Sequence, residues 1–294
     1  MLHSSRSFST CICLLGLNLV ALIVLVSCGP NASQPAALSP YDRAKDAFKN
    51  SQLDKALGLT DKLARKTPPA DSTNRARVLR AVIYTGELKG SWELSEAYDK
   101  GAEKAKNPQF QADYRRLHND NLSNAAKAAL NLAETAHQIA LGGAMPKQVT
   151  LEASFPITEG PTTIIQLERV EQGGWIEPDE QEQVAADAMR KGVDDALADL
   201  VSGDRSKARQ ALANGSTQLD GAAFAIFLSK ELADGAIVFD RHHGRDPQKF
   251  ITLCDQGDLS AKQALALLKD SPNKDEEKQA KKLQDQFKTI RKDK

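Results

Sequence analysis

Along most of the chain, apolar residues return at three- and four-residue steps, the spacing that gathers them on one side of an α-helix. Ser39-Pro40 is a helix start, with a capping hydroxyl followed by proline at the first helical position. Two short amphipathic helices follow, near 40–50 and 53–66, with Ala44, Phe48, Leu53, Ala56, Leu57 and Leu63 as apolar positions and Pro68-Pro69 as the stop. A third helix is expected near 72–89, carrying Val78, Leu79, Val82 and Ile83. Gly90 interrupts it, and a fourth runs near 91–106 with Trp92, Leu94, Ala97 and Tyr98, closed by Pro108. Residues 109–142 read as one long helix or a broken pair, with Ala129, Leu132, Ala136 and Ile139 on its later apolar face.

At Pro146 the period changes. Val149, Leu151, Ala153 and Phe155 alternate with polar residues, which predicts a half-buried strand. Ile165 and Leu167 alternate with Gln166 and Glu168 in a second strand reaching Val170, and Gly173-Gly174 turns it into a short third piece with Trp175 and Ile176. So small a sheet is marginal alone, so it must pack on helices as a wedge or pair with another chain.

Helical spacing resumes at Pro178, whose acidic neighbours Asp179, Glu180 and Glu182 suit a helix N-terminus. Val184, Ala188, Val193, Leu197, Leu200 and Val201 form the apolar face, Gly203 is the stop, and Asp204 caps a short helix through Leu212. Residues 222–239, with Phe224, Ile226, Phe227, Leu228, Leu232, Ile237 and Val238, predict the most buried helix of this half. Another helix begins at Asp246-Pro247 and carries Phe250, Ile251, Leu253 and Cys254; a further one at 260–269 has Ala264, Leu265 and Leu268. The last stretch places Ala280, Leu283, Phe287 and Ile290 on one stripe, amid seven basic and two acidic residues from Lys278 to Lys294. Such a helix either docks its stripe on the body or lies on anionic lipid or a partner groove.

The fold class expected is therefore mainly α: stacked antiparallel helical hairpins with a small β-hairpin or meander insertion. Aromatic residues are only 5% of the chain, while alanine and leucine abound, which also favours helix. In order, the segments are 1–27, 28–40, a helical domain 41–145, the β insertion 146–177, a helical domain 178–272 and a basic terminal helix 273–294.

The first two segments have their own pattern. Residues 11–26 are an apolar run broken only by Gly16 and Asn18, shorter than the ~20 residues a spanning helix needs. Leu25-Val26-Ser27-Cys28-Gly29 follows. This order resembles a bacterial lipoprotein signal peptide with its lipobox. The resemblance implies a diacylglyceryl lipid on the Cys28 sulfur, cleavage before Cys28, and acylation, as by palmitate, of the new amino group. Gly29 in place of aspartate is similar to the pattern sent to the outer membrane where the source has two membranes. Residues 29–40, with three prolines and no charge, read as a flexible tether. A second resemblance lies in the spacing of Ala44, Ala56 and Pro68, twelve apart, and of Gly86, Ala97 and Pro108, eleven apart. It is similar to the tetratricopeptide repeat, in which small residues let two helices pack closely.

Charge excludes little but argues against a nucleic-acid partner. Lys+Arg and Asp+Glu both number 39, and Arg6 is the only such residue before Cys28, so the chain from Cys28 carries 38 against 39, or −1. Of the four cysteines, Cys11 and Cys13 precede the cleavage point and Cys28 takes lipid, which leaves Cys254 with no disulfide partner and the character of a buried, inert thiol. Asp240, His242, His243 and Asp246 are residue types that ligate zinc, but adjacent histidines rarely reach one metal, and a polar turn with Asp246 as helix cap explains the same residues. His118 and His137 stand alone, and Asp194-Asp195 fits a solvated face. No phosphate-binding glycine loop, nucleophile elbow or H-E-x-x-H motif occurs. The expectation is a lipid-anchored envelope protein that binds a protein partner of unknown identity, without catalysis and without a cofactor beyond the lipid on Cys28. The alternative is a metal-binding or enzymatic protein using the Asp240-His242-His243-Asp246 cluster.

Overall fold

The computed structural model describes residues 38–66, 70–156, 162–201, 203–239 and 246–292. Their elements are α1 (Pro40–Lys49), α2 (Leu53–Ala64), α3 (Asp71–Lys104), α4 (Pro108–Leu141), β1 (Gln148–Leu151), α5 (Thr162–Glu171), α6 (Pro178–Val201), α7 (Arg205–Ala211), β2 (Thr217–Asp220), α8 (Gly221–Ala236), a 3-10 turn (Ile237–Phe239), α9 (Pro247–Leu268) and α10 (Lys274–Lys292). The fold is mainly α, with antiparallel helices packed together and one two-stranded antiparallel sheet.

Local chemistry sets several boundaries. Ser39 Oγ accepts the Asp42 amide at 3.1 Å, Asp204 accepts from Lys207 at 2.8 Å and Asp246 accepts from Lys249 at 3.1 Å, each satisfying a donor the first helical turn leaves open. Pro40, Pro108 and Pro247 take first-turn positions where their missing amide costs nothing. Gly203, with φ +70°, follows α6 in the left-handed region.

α3 is the axis of the body. Every residue from Arg77 to Gly86 is buried, so the helix is enclosed on all sides rather than along one stripe. α4 returns antiparallel along it after a three-residue connection, with Leu132, Ala129 and Ala125 fully buried. α6 crosses it where glycines meet. A Cβ on Gly90 would lie 2.6 Å from the Ala188 carbonyl oxygen, and one on Gly192 would lie 2.9 Å from the Gly90 amide nitrogen and strike the Gly86 carbonyl. Backbone therefore rests on backbone. The expected break at Gly90 is accordingly corrected: α3 is one continuous helix of 34 residues. The propensity cost of a helical glycine, about 1 kcal/mol, is offset by the close approach it permits.

The α1–α2 hairpin covers the first half of α3. Ala44, Phe48 and Ala56 are fully buried, and two arginines of α3 donate to backbone carbonyls of α2. Arg77 Nε donates to Ala64 O at 2.8 Å, and Arg80 Nη1 to Leu57 O at 3.0 Å. Glu152, just past β1, holds Lys45 of α1 at 3.0 Å and also Arg75 of α3.

β1 falls within the first predicted strand, with Val149 and Leu151 buried. Its partner is not the predicted one. β1 pairs with β2, Val149 opposite Leu219, some seventy residues on. The second predicted strand is a correction: 165–170 lies inside α5, where Leu167 and Val170, three apart, share a buried face. Four alternating residues also fit one helical turn, and Gly173 with φ +79° ends α5 when its amide donates to Val170 O at 2.8 Å. The predicted third piece forms no strand. Ile176 is buried and Trp175 stacks on Phe110 at 4.7 Å.

α8, as expected, is buried over most of its surface. α9 returns beside it, with its end near the start of α8, and α10 packs on both. Cys254 is fully buried, and the apolar stripe of α10 docks on the body with the Phe287 ring seated against Gly257. One hydrophobic core runs from Tyr41 to Phe287; a smaller one, around Leu94, Tyr98, Tyr114 and Val170, fills the end of α3 beneath α5.

Gly192→Ala is expected to destabilise the protein by about 2 kcal/mol or more, since overpacking outweighs the better helix propensity of alanine. Gly58→Ala, where a new Cβ meets nothing within 4 Å, is expected to stabilise it by about 0.5–1 kcal/mol. Urea unfolding of both variants checks the contrast, and a neutral Gly192→Ala removes the close crossing as a constraint.

Candidate functional site

The cluster singled out in the sequence is represented here by Asp246 alone; Asp240, His242 and His243 lie outside the described residues, as does Cys28. Asp246 is occupied. One oxygen caps α9 and the other pairs with Lys249 Nζ at 3.0 Å, which holds its carboxyl below the usual range chiefly through the Lys249 side chain and amide. Among the described residues no group of three or more His, Cys, Asp and Glu side chains is arranged to hold a metal ion. His118 Nδ1 lies 2.9 Å from Ser95 Oγ and is satisfied within the α3–α4 pair.

Asp194-Asp195 requires correction. Asp194 is buried and bonded to Arg209 at 2.8 Å, and burial raises its carboxyl above the ordinary range although Arg209 and Arg205 oppose the shift. Arg209 also lies over the Phe155 ring at 4.4 Å. The pair ties α7 to α6 and to the segment after β1. A second network, with Glu231 as its buried member, joins α3, α6 and α8. Asp199 accepts from Lys89 and Lys230, each at 2.9 Å, and fully buried Glu231 lies 3.2 Å from Lys89. Burial pushes Glu231 up while the two lysines pull it down. Both networks have their cations in place and act as struts.

Glu87 is different. It projects from the middle of α3 into a cavity of about 570 Å³ lined by Asn50, Ser51, Leu53, Asp54, Ala186, Met189 and Arg190. Three features build this cavity. The α1–α2 turn brings Asn50 and Ser51 to its rim. There the Ser51 amide donates to Phe48 O at 2.9 Å and the Gln52 amide to Ala47 O at 2.8 Å, the paired bonds of a Schellman turn. Ser51 therefore adopts φ +59°, where glycine is the usual residue and a side chain costs about 1 kcal/mol. α2 supplies Leu53 and Asp54 in its first turn. α6 supplies Ala186, Met189 and Arg190 just beyond the glycine crossing, with Arg190 paired to Asp187 of its own helix.

Glu87 makes no hydrogen bond or ion pair with any described residue, although it is half-buried. Burial first, and the nearby Asp54 carboxylate second, push its carboxyl up to about 7; Arg80 opposes them. A carboxyl that titrates near neutrality beside a cavity can exchange a proton there or hold a cation. Sequence inspection missed it, since its only local mark is one acid on an otherwise enclosed helix. A second cavity, about 720 Å³, lies at the α9–α10 turn between Lys147, Asp220, Lys274 and Glu276. One of its two acids, Asp220, caps α8. Across its mouth Lys147 pairs with Asp270 at 3.1 Å.

No family model, no curated protein and no solved structure matches the chain.

Glu87 has a folded-state value of about 7 against an ordinary 4.5, so the stability it lends is complete below pH 4.5 and lost as pH rises through 7. Glu87→Gln, neutral throughout, is expected to be more stable than the parent at pH 8 by about 1–3 kcal/mol, a range allowing for partial solvation, and indistinguishable at pH 4. Urea unfolding at both values reads this, and a variant less stable at pH 8 contradicts the burial of an unpaired carboxylate.

Proposed function

We propose that the chain is a lipid-anchored protein of the cell envelope whose helical body binds a protein partner without catalysing a reaction. The observation that carries the reading is Leu25-Val26-Ser27-Cys28, at the end of the sixteen-residue apolar run 11–26. The chemistry it invites is a thioether lipid on Cys28 and an acylated amino group. Each buried methylene contributes about 0.8 kcal/mol, so one chain holds weakly and several hold stably. The body's architecture is consistent with this placement: Ser39 caps α1 at the end of the charge-free segment 29–40, and α1 enters the core within its first turns through Tyr41 and Ala44. In a double-membrane source, Gly29 favours the outer membrane.

The partner-binding part of the proposal draws on the stacked antiparallel helices, an arrangement that offers long outer faces to other chains. The stripe of α10 is used inside the molecule, so its lysines face solvent beside their acidic neighbours, as in Lys281–Glu277. Asp246 is engaged as a helix cap, which weighs against the metal-binding alternative.

Lipidation and location are tested together. The parent protein is expected to incorporate a labelled fatty acid and to sediment with membranes; Cys28→Ala is expected to lose the label and retain residues 1–27. Equal labelling and equal apparent mass of the two would overturn the anchor. Cross-linking in intact envelopes, followed by mass spectrometry, is expected to return a discrete protein partner; recovery of the chain alone overturns the binding role.

A further inference from the structure

We infer that the cavity between the α1–α2 turn, α3 and α6 is a binding site for a small aliphatic amine, whose ammonium group sits between Glu87 and Asp54 and whose carbon chain lies on Leu53, Ala186 and Met189. This goes beyond anchoring and partner binding and does not depend on either.

Charge and shape lead to this class. The cavity volume of about 570 Å³ falls within the ~300–1,000 Å³ of ligand clefts. Of its three charged side chains, Arg190 is already neutralised by Asp187, so the charge left to a ligand is the negative charge of Asp54 and Glu87. Glu87 is a half-buried carboxyl that no described side chain pairs with, and withdrawing a charge from water without a counter-charge is costly. An ammonium group supplies both the opposite charge and hydrogen-bond donors. A bare divalent cation fits less well. Two carboxyls, one amide and one hydroxyl fall short of the 6–8 oxygens calcium takes, and three apolar side chains have no use in such a site. They suit the methylene groups of an amine.

The site is also pH-gated. The charged groups that face Glu87 are Asp54 from α2, Arg80 from α3 and Arg190 from α6; the α1–α2 turn brings only the uncharged Asn50 and Ser51. With its carboxyl at about 7, Glu87 is some nine-tenths ionised at pH 8 and one-tenth at pH 6. Amine affinity therefore falls on acidification.

The test is calorimetric titration of the full-length protein in non-ionic detergent, with 1,4-diaminobutane as probe and 1,4-butanediol as its neutral counterpart. At pH 8 the diamine is expected to bind and the diol not. Glu87→Gln is expected to weaken diamine binding about tenfold or more, and Asp54→Asn, at an exposed position that leaves packing intact, to weaken it severalfold. The parent is expected to lose about tenfold between pH 8 and pH 6, a dependence that Glu87→Gln abolishes. No diamine binding by the parent, diol binding of equal strength, or unchanged affinity in both variants overturns the proposal.

Discussion

Where α3 crosses α6, the two backbones come into direct contact through Gly90 and Gly192, and Gly86 leaves room for Val193. Much of the described body takes its position from that contact. Because α6 approaches so closely on one side, α3 must be covered on its other sides by α4 and by the α1–α2 hairpin, which encloses it from Arg77 to Gly86. A fully enclosed helix would normally be apolar all round. α3 instead carries Arg77, Arg80, Glu87 and Lys89, and they meet three different solutions. Arg77 and Arg80 donate to backbone carbonyls of α2, and Lys89 completes a network with Asp199 and Glu231. Glu87 receives no partner among the described residues and faces the cavity. The cavity is thus what remains when a tightly crossed pair of helices and a short hairpin meet imperfectly.

The same contact shows what a sequence conveys and what it withholds. Caps are local, so Ser39, Asp204 and Asp246 could be read directly. So could the buried faces of α4, α6 and α8, which repeat with the helical period over many residues. Gly90 could not, because a glycine that breaks a helix and one that lets another helix approach look alike until the other helix is known. The α5 segment misled for a related reason: four alternating residues are too few to separate a strand from a turn of helix. β2 has a single inward residue, Leu219, and owes its existence to pairing with β1. Asp194 reads as a surface acid until Arg209 closes over it.

The candidate site was illegible for the strongest form of that reason. Glu87 owes its character to desolvation by α2 and α6, which stand 33 residues before it and about a hundred after it. Asp54 and Met189 join it only through the fold. The left-handed Ser51 at the rim carries no glycine signature, so the turn that shapes the cavity gives no advance notice either.

Glu152 has a mechanical meaning. Its carboxylate grips Lys45 of α1 and Arg75 of α3 at once, close to where the chain enters the body at Ser39. A pull on the segment ahead of Ser39 would load α1 first, and the clamp together with buried Phe48 would pass that load sideways into α3. Any force applied there would thus be shared with the central helix through the Glu152 pairs.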